Sequence, residues 1–265
     1  MQIERLKLKK TKNMRDMGGI PTADGRKIKT GKIIRSGRMC NLPPGTVRAL
    51  VDMGVDNIID LRSDREVAAK PPTRLDGVTY RNIPLVATCQ PYLSKSKHMS
   101  SEMYAQSKRV KRDFGTSDNY MREMYKHLVF DPDSQKKIKE VLDLIIAEEN
   151  TIIFHCNSGT DRTGIIAMLL ESALGVEKDM ILQDYMASRR FQLRRRTLQR
   201  IALVPAPVHL CLKKLLFAQM LPKPQYMSGL INEIESKYGS VVNYLKEALG
   251  VTDDDIKTLK DKYLE

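Results

Sequence analysis

One stretch, Thr151 to Ala167 (TIIFHCNSGTDRTGIIA), constrains this chain more than any other. Four β-prone residues run into His155-Cys156, a polar turn with one glycine follows, and an apolar helical pattern starts just after Arg162. The order is strand, loop, helix. A loop that opens a helix collects free backbone N–H groups and the positive end of the helix dipole, so it is a ready cradle for an anion such as phosphate. Cys156 sits at its mouth.

A thiol in that field is favoured as the thiolate, which is the nucleophilic form. Arg162, six positions on, has the planar fork that grips two phosphoryl oxygens, a geometry lysine lacks. Asn157, Ser158, Gly159 and Thr160 are expected to lend loop amides to the substrate, and the Thr163 hydroxyl to bond the sulfur and ease its departure. The implied reaction is in-line attack of sulfur on phosphorus, with a phosphocysteine intermediate. No metal or other cofactor is called for, because guanidinium and oriented amides supply the charge stabilisation.

A proton donor for the leaving oxygen is needed as well. The chain contains no tryptophan, so no Trp-Pro-Asp loop can deliver it. Two carboxylates remain as candidates: Asp161, inside the loop, and Asp60, at the end of an earlier strand where sites of open α/β sheets gather. Asp60 reads equally well as a structural partner of Arg62, and Asp161 as a loop-ordering residue.

The loop resembles the HCxAGKDRTG pattern of the atypical bacterial tyrosine phosphatases, a family with phosphoinositide and triple-specificity members. Thr160 stands where that pattern has Lys, and Ser158 where it has Ala. Further motifs are similar in the same order: Asn13-Met-Arg15-Asp16-Met-Gly18-Gly19, Asp24-Gly25-Arg26, Gly31, Arg35-Ser36-Gly37, Ile59-Asp60-Leu61-Arg62-Ser63 with Glu66, Asp184-Tyr185, and Tyr238-Gly239-Ser240 with Tyr244-Leu245. The resemblance implies a phosphotyrosine phosphatase acting on aryl phosphates. A phosphoinositide or dual-specificity phosphatase is the alternative, and a catalytically idle phosphate-binding module the non-enzyme one.

The 265 residues carry 45 Lys and Arg against 32 Asp and Glu, a net charge of +13 that favours anionic partners. A phosphorylated protein or phosphoinositide is the expected partner; nucleic acid is not, and peripheral contact with a membrane stays open. Cys40, Cys89, Cys156 and Cys211 show no metal-ligand spacing and fit reduced thiols. Neither a signal peptide nor a membrane span is legible, so the cytoplasm is the expected location, with export by specialised routes left open by the family.

Elsewhere the pattern predicts strands at Lys32–Arg35, Asp56–Leu61 and Val78–Val86 and helices at Pro43–Met53, Asn119–Phe130, Ser134–Glu148, Ile165–Leu174 and Val176–Ser188. Further helices are expected at Val208–Met220, Pro224–Lys237, Val241–Leu249 and Asp253–Leu264. These make an α/β fold, a central mostly parallel sheet flanked by helices, in a single domain over 1–265. Two insertions stand out: a polar segment at 88–117 that reads as a flap, and 189–204, which opens with Arg189, Arg190, Arg194, Arg195 and Arg196 and reads as a lid helix region. For Arg15, Asp16 and Arg35, charged groups that fix a turn are the plainer expectation.

Overall fold

The computed structural model describes residues 3–86, 112–201 and 221–265, with the side chains of 193–201 left aside. Among the described residues, five strands form one sheet: β1 (Arg15–Asp16), β2 (Ile33–Ser36), β3 (Val55–Asp60), β4 (Thr79–Asn82) and β5 (Thr151–His155), in the order β1-β2-β5-β3-β4. Only the short edge pair β1/β2 is antiparallel; β2/β5, β5/β3 and β3/β4 are parallel. The strand that delivers Cys156 is therefore the central one. All five of its residues are buried, as a parallel strand covered on both faces requires.

Side chains alternate across the sheet. Ile33, Ile59, Ile152 and Phe154 join the larger core, while Ile34, Ile58 and Ile153 join a smaller one on the opposite face. Helix α1 (Pro44–Asp52), with Pro at its start, supplies Leu50 to the smaller core. Helix α2 (Asp64–Ala69) follows β3 directly and opens with a capping box, in which Ser63 and Glu66 satisfy one another's backbone N–H groups.

Helices α3 (Ser117–Phe130) and α4 (Pro132–Ala147) are separated at Asp131, whose carboxylate accepts the N–H groups of Asp133 and Ser134 and so starts the second helix. Helix α5 (Asp161–Leu174) is buried at every residue from Arg162 to Leu174 except Ser172. Its nearly uninterrupted apolar run anchors the loop before it, and Gly175, at φ 85°, ends it in the left-handed conformation. Helices α7 (Pro224–Tyr238), α8 (Val241–Glu247) and α9 (Asp253–Tyr263) close the larger core.

Two expected boundaries need adjusting. Strand β4 stops at Asn82, because Pro84 ends the regular ladder, although Ile83 and Leu85 still donate to Asp60 O (2.9 Å) and Leu61 O (3.2 Å). The helix expected over Val176–Ser188 and the helical region expected from residue 189 are one element. Helix α6 runs from Lys178 to Ile201 without interruption, since nothing between Ser188 and Gln192 opposes helix. Arg189 and Arg190, read as part of a charged lid, donate to Pro222 O and Ile3 O, and Phe191 is buried with Ile3 and Ala187. The expected flap, apart from 112–117, and the helix expected at Val208–Met220 lie outside the described residues. Among the described residues, no helix is long and apolar enough to cross a membrane.

Candidate active site

The loop between β5 and α5 passes so close to the end of β2 that two glycines are required. Gly159 has φ 73°, and a Cβ there would lie 2.6 Å from Ser36 C and O; a Cβ on Gly37 would lie 3.0 Å from Ser158. This approach turns the loop inward. The Gly159 N–H donates to Cys156 Sγ at 3.3 Å, while Cys156 itself is 1% exposed.

The loop is fastened from below by the N-terminal motif. Asn13 Nδ2 donates to Gly159 O (2.6 Å) and to Ser188 Oγ (3.0 Å), and its Oδ1 accepts from Arg15 Nη1 (2.7 Å). Arg15 then donates to Asp184 Oδ1 (2.7 Å) and Asp184 O (2.8 Å), and Arg35 pairs with the other carboxylate oxygen. All three charged groups are fully buried. Burial alone would raise the Asp184 carboxyl, but the two guanidiniums hold it below the usual carboxylate range. Glu171, buried beside Asp184, is pushed well up by desolvation and by that neighbouring charge, which favours its neutral form. Asp16 accepts the N–H groups of Gly18 (2.8 Å) and Gly31 (2.6 Å). Charges that fix turns and elements are what these residues provide.

Arg162, on the first turn of α5, is held bidentately: Nη1 lies 2.7 Å from Glu66 Oε2 and Nη2 2.9 Å from Glu66 Oε1, with Leu61 O 3.2 Å from Nη1. Burial disfavours both charges, yet the pair overrides it, lowering the Glu66 carboxyl and raising the Arg162 guanidinium. Asp161, partly open to solvent, accepts from Tyr125 Oη at 2.8 Å, and Tyr125 Oη lies 2.8 Å from Tyr185 Oη. Desolvation raises the Asp161 carboxyl despite that hydrogen bond and the nearby Arg162.

Asp60 sits in a different environment. It is fully buried and accepts from Arg62 Nε (2.9 Å) and Nη2 (2.6 Å) and from Tyr80 Oη. Burial would raise its carboxyl, but these donors hold it low, and a carboxylate kept ionised in this way is a poor proton donor. Its remaining neighbour is His155, whose Nδ1 lies 3.6 Å from Asp60 Oδ1 and 3.3 Å from Cys156 O. With two acceptors facing Nδ1, the proton belongs there. Burial keeps the ring neutral and lowers its pKa.

The expected Thr163–sulfur bond is absent: Thr163 Oγ1 faces Ser36 O at 3.5 Å, because β2 packs closer to that hydroxyl. Thr160 is 2% exposed, and its hydroxyl accepts from Gln192 Nε2 on α6 at 2.6 Å. Asn157 is exposed at the rim, where its Oδ1 accepts from Arg38 Nη1 at 2.7 Å. Sequence reasoning passed over Tyr125, Gln192 and Arg38, which no local pattern marks, and quoted Glu66, Asn13 and Asp184 only within motifs.

A family profile described as the tyrosine phosphatase family matches residues 6–265. A protein of Cupriavidus necator with a provisional tyrosine-protein phosphatase name is 30% identical over 263 residues, covering 95% of this chain and 85% of that one. The triple specificity protein phosphatase PtpB of Mycobacterium tuberculosis is 27% identical over 257 residues, covering 89% and 91%. A tyrosine-protein phosphatase of Nostoc commune is 28% identical over 174 residues, 64% of this chain and 53% of that one.

Proposed function

This chain belongs to the tyrosine phosphatase family, and we propose that it hydrolyses phosphotyrosine and other aryl phosphates through a phosphocysteine formed on Cys156. The observation that carries this reading is the meeting of three groups at one helix mouth. Cys156 Sγ faces the Gly159 N–H, Arg162 is oriented by Glu66, and Asp161 has its carboxyl raised by burial.

In the first step the Sγ lone pair forms the S–P bond while the P–O bond to the tyrosine breaks, and protonated Asp161 donates to the departing phenolic oxygen. Arg162 and the loop amides of Asn157, Ser158, Gly159 and Thr160 hold the three remaining oxygens. In the second step water attacks phosphorus, Asp161 accepts its proton, and the S–P bond breaks to release phosphate and the thiolate. Asp60 takes no proton in this scheme. It orients His155, which in turn fixes the carbonyl of Cys156.

One catalytic domain over the whole chain is part of the same reading, supported by a match that spans 6–265 and by a core that extends from Met17 to Leu264. We assign the reaction to the cytoplasm, supported by the unpaired thiols of Cys40 and Cys156. Phosphate release from a phosphotyrosine peptide and from mono- and polyphosphorylated inositol lipids in vesicles, with wild type and Cys156→Ser, tests the function. Peptide turnover lost in Cys156→Ser is expected. Preferential lipid turnover overturns the substrate, and no turnover of either supports the phosphate-binding module.

A further inference from the structure

We propose that Arg38 is a specificity-determining residue that reads a second anionic group, an acidic side chain beside the phosphotyrosine of a peptide substrate. The inference rests on the phosphatase reading and names the kind of peptide that reading prefers.

Among the described residues, four buried arginines around the phosphate loop each contact a carboxylate, three carboxylates in all. Arg15 and Arg35 share Asp184, Arg62 holds Asp60, and Arg162 holds Glu66. Arg38 is different. Its main-chain N–H donates to Asn157 O at 3.2 Å and its Nη1 to Asn157 Oδ1 at 2.7 Å, so it is tied at two points to the residue that follows the nucleophile. Among the described residues no carboxylate pairs with it, and its Nε and Nη2 have no partner. A guanidinium with a charge left over and donors to spare, fixed at an exposed loop rim, is built to receive an anion from solvent.

Thr160, which replaces the Lys of the resembling pattern, is buried and its hydroxyl is already bonded to Gln192. In this chain the rim cation beside the loop is Arg38, on the Asn157 side. A substrate whose phosphate lies over Cys156 meets Arg38 with the groups adjoining its phosphotyrosine, and a glutamate or aspartate there would fork the guanidinium.

The test compares kcat/KM for two phosphotyrosine peptides that differ only in having glutamates or glutamines beside the phosphotyrosine. Wild type should favour the acidic peptide roughly three- to fivefold, the range of an exposed ion pair, and the preference should shrink at high salt. Arg38→Glu should reverse the preference, and Arg38→Lys should keep part of it, which separates a lost charge from a disturbed loop. The difference should appear in KM. An equal ratio in wild type and Arg38→Glu overturns the Arg38 assignment alone. Absence of wild-type turnover on both peptides overturns the phosphatase reading beneath it. A soluble inositol bisphosphate that loses more turnover than the acidic peptide in Arg38→Glu overturns the peptide as the source of the second anion.

Discussion

Glu66 grips both terminal nitrogens of Arg162, at 2.7 and 2.9 Å, and simultaneously caps α2 by accepting from the Ser63 N–H at 3.1 Å. The start of one helix therefore aims the side chain proposed to hold the phosphoryl group on another. Glu66→Ala should lower kcat/KM on the order of a hundredfold, the cost of a misplaced oriented group. Glu66→Gln keeps one hydrogen bond and should lose less. Because the Glu66 carboxyl is held below its usual value, the pair stays intact above about pH 5 and adds no limb to the activity profile between pH 5 and 8. Steady-state kinetics on a neutral aryl phosphate over that range check this; wild-type rates in Glu66→Ala would contradict it.

In the proposed mechanism Asp161 is protonated in the first step, so activity should fall as pH rises through its raised pKa. Asp161→Asn should remove that alkaline limb and cost roughly a hundred- to ten-thousandfold, most for substrates with poor leaving groups. The Tyr125 hydrogen bond lowers the Asp161 carboxyl, so Tyr125→Phe should move the limb to higher pH. A limb that stays in place would remove Tyr125 from the account.

Asp184 balances two buried guanidiniums, those of Arg15 and Arg35. Asp184→Asn should destabilise the fold by about 3–5 kcal/mol, the cost of leaving a buried charge uncompensated. The sign with pH follows from its lowered pKa: the stabilisation is present above about pH 4, where the unfolded carboxylate ionises, and is lost as pH falls through the folded value. Glu171 has the opposite sign. Its raised pKa makes stability fall as pH climbs above about 4.3, so Glu171→Gln should flatten that decline. Urea unfolding at several pH values measures both slopes.

Gly159→Ala should abolish most activity while leaving the core folded. Its φ of 73° strains any other residue, and the added methyl would meet Ser36 backbone at 2.6 Å, which belongs to a strand that cannot retreat. Unchanged kcat/KM in a folded Gly159→Ala protein would contradict the loop geometry.

The strand–loop–helix around Cys156 was legible because its apolar period changes from strand to helix across a single glycine, and α5 because its apolar run leaves no solvent face. The mostly parallel sheet followed from alternating strand and helix patterns. Lys178–Ile201 was harder: arginines that resemble a solvated segment continue a helix, and what holds Arg189 and Arg190 is main-chain carbonyls distant in sequence. The roles of Asp60 and Asp161 could not be separated from spacing, because the difference between them is what each faces. Asp60 meets Arg62 and Tyr80, and Asp161 meets the single hydroxyl of Tyr125 on α3, 36 residues earlier. Glu66 lay in plain view within a motif, yet its reach to Arg162 spans 96 positions.

Rapid acid quench of the enzyme turning over a phosphotyrosine peptide, followed by mass spectrometry of its proteolytic fragments, bears most directly on the central claim. One phosphoryl group on the fragment containing Cys156, formed within the first turnover and absent from Cys156→Ser, is the expected result. Sustained turnover without that adduct, or turnover that survives Cys156→Ser, would contradict covalent catalysis at this cysteine.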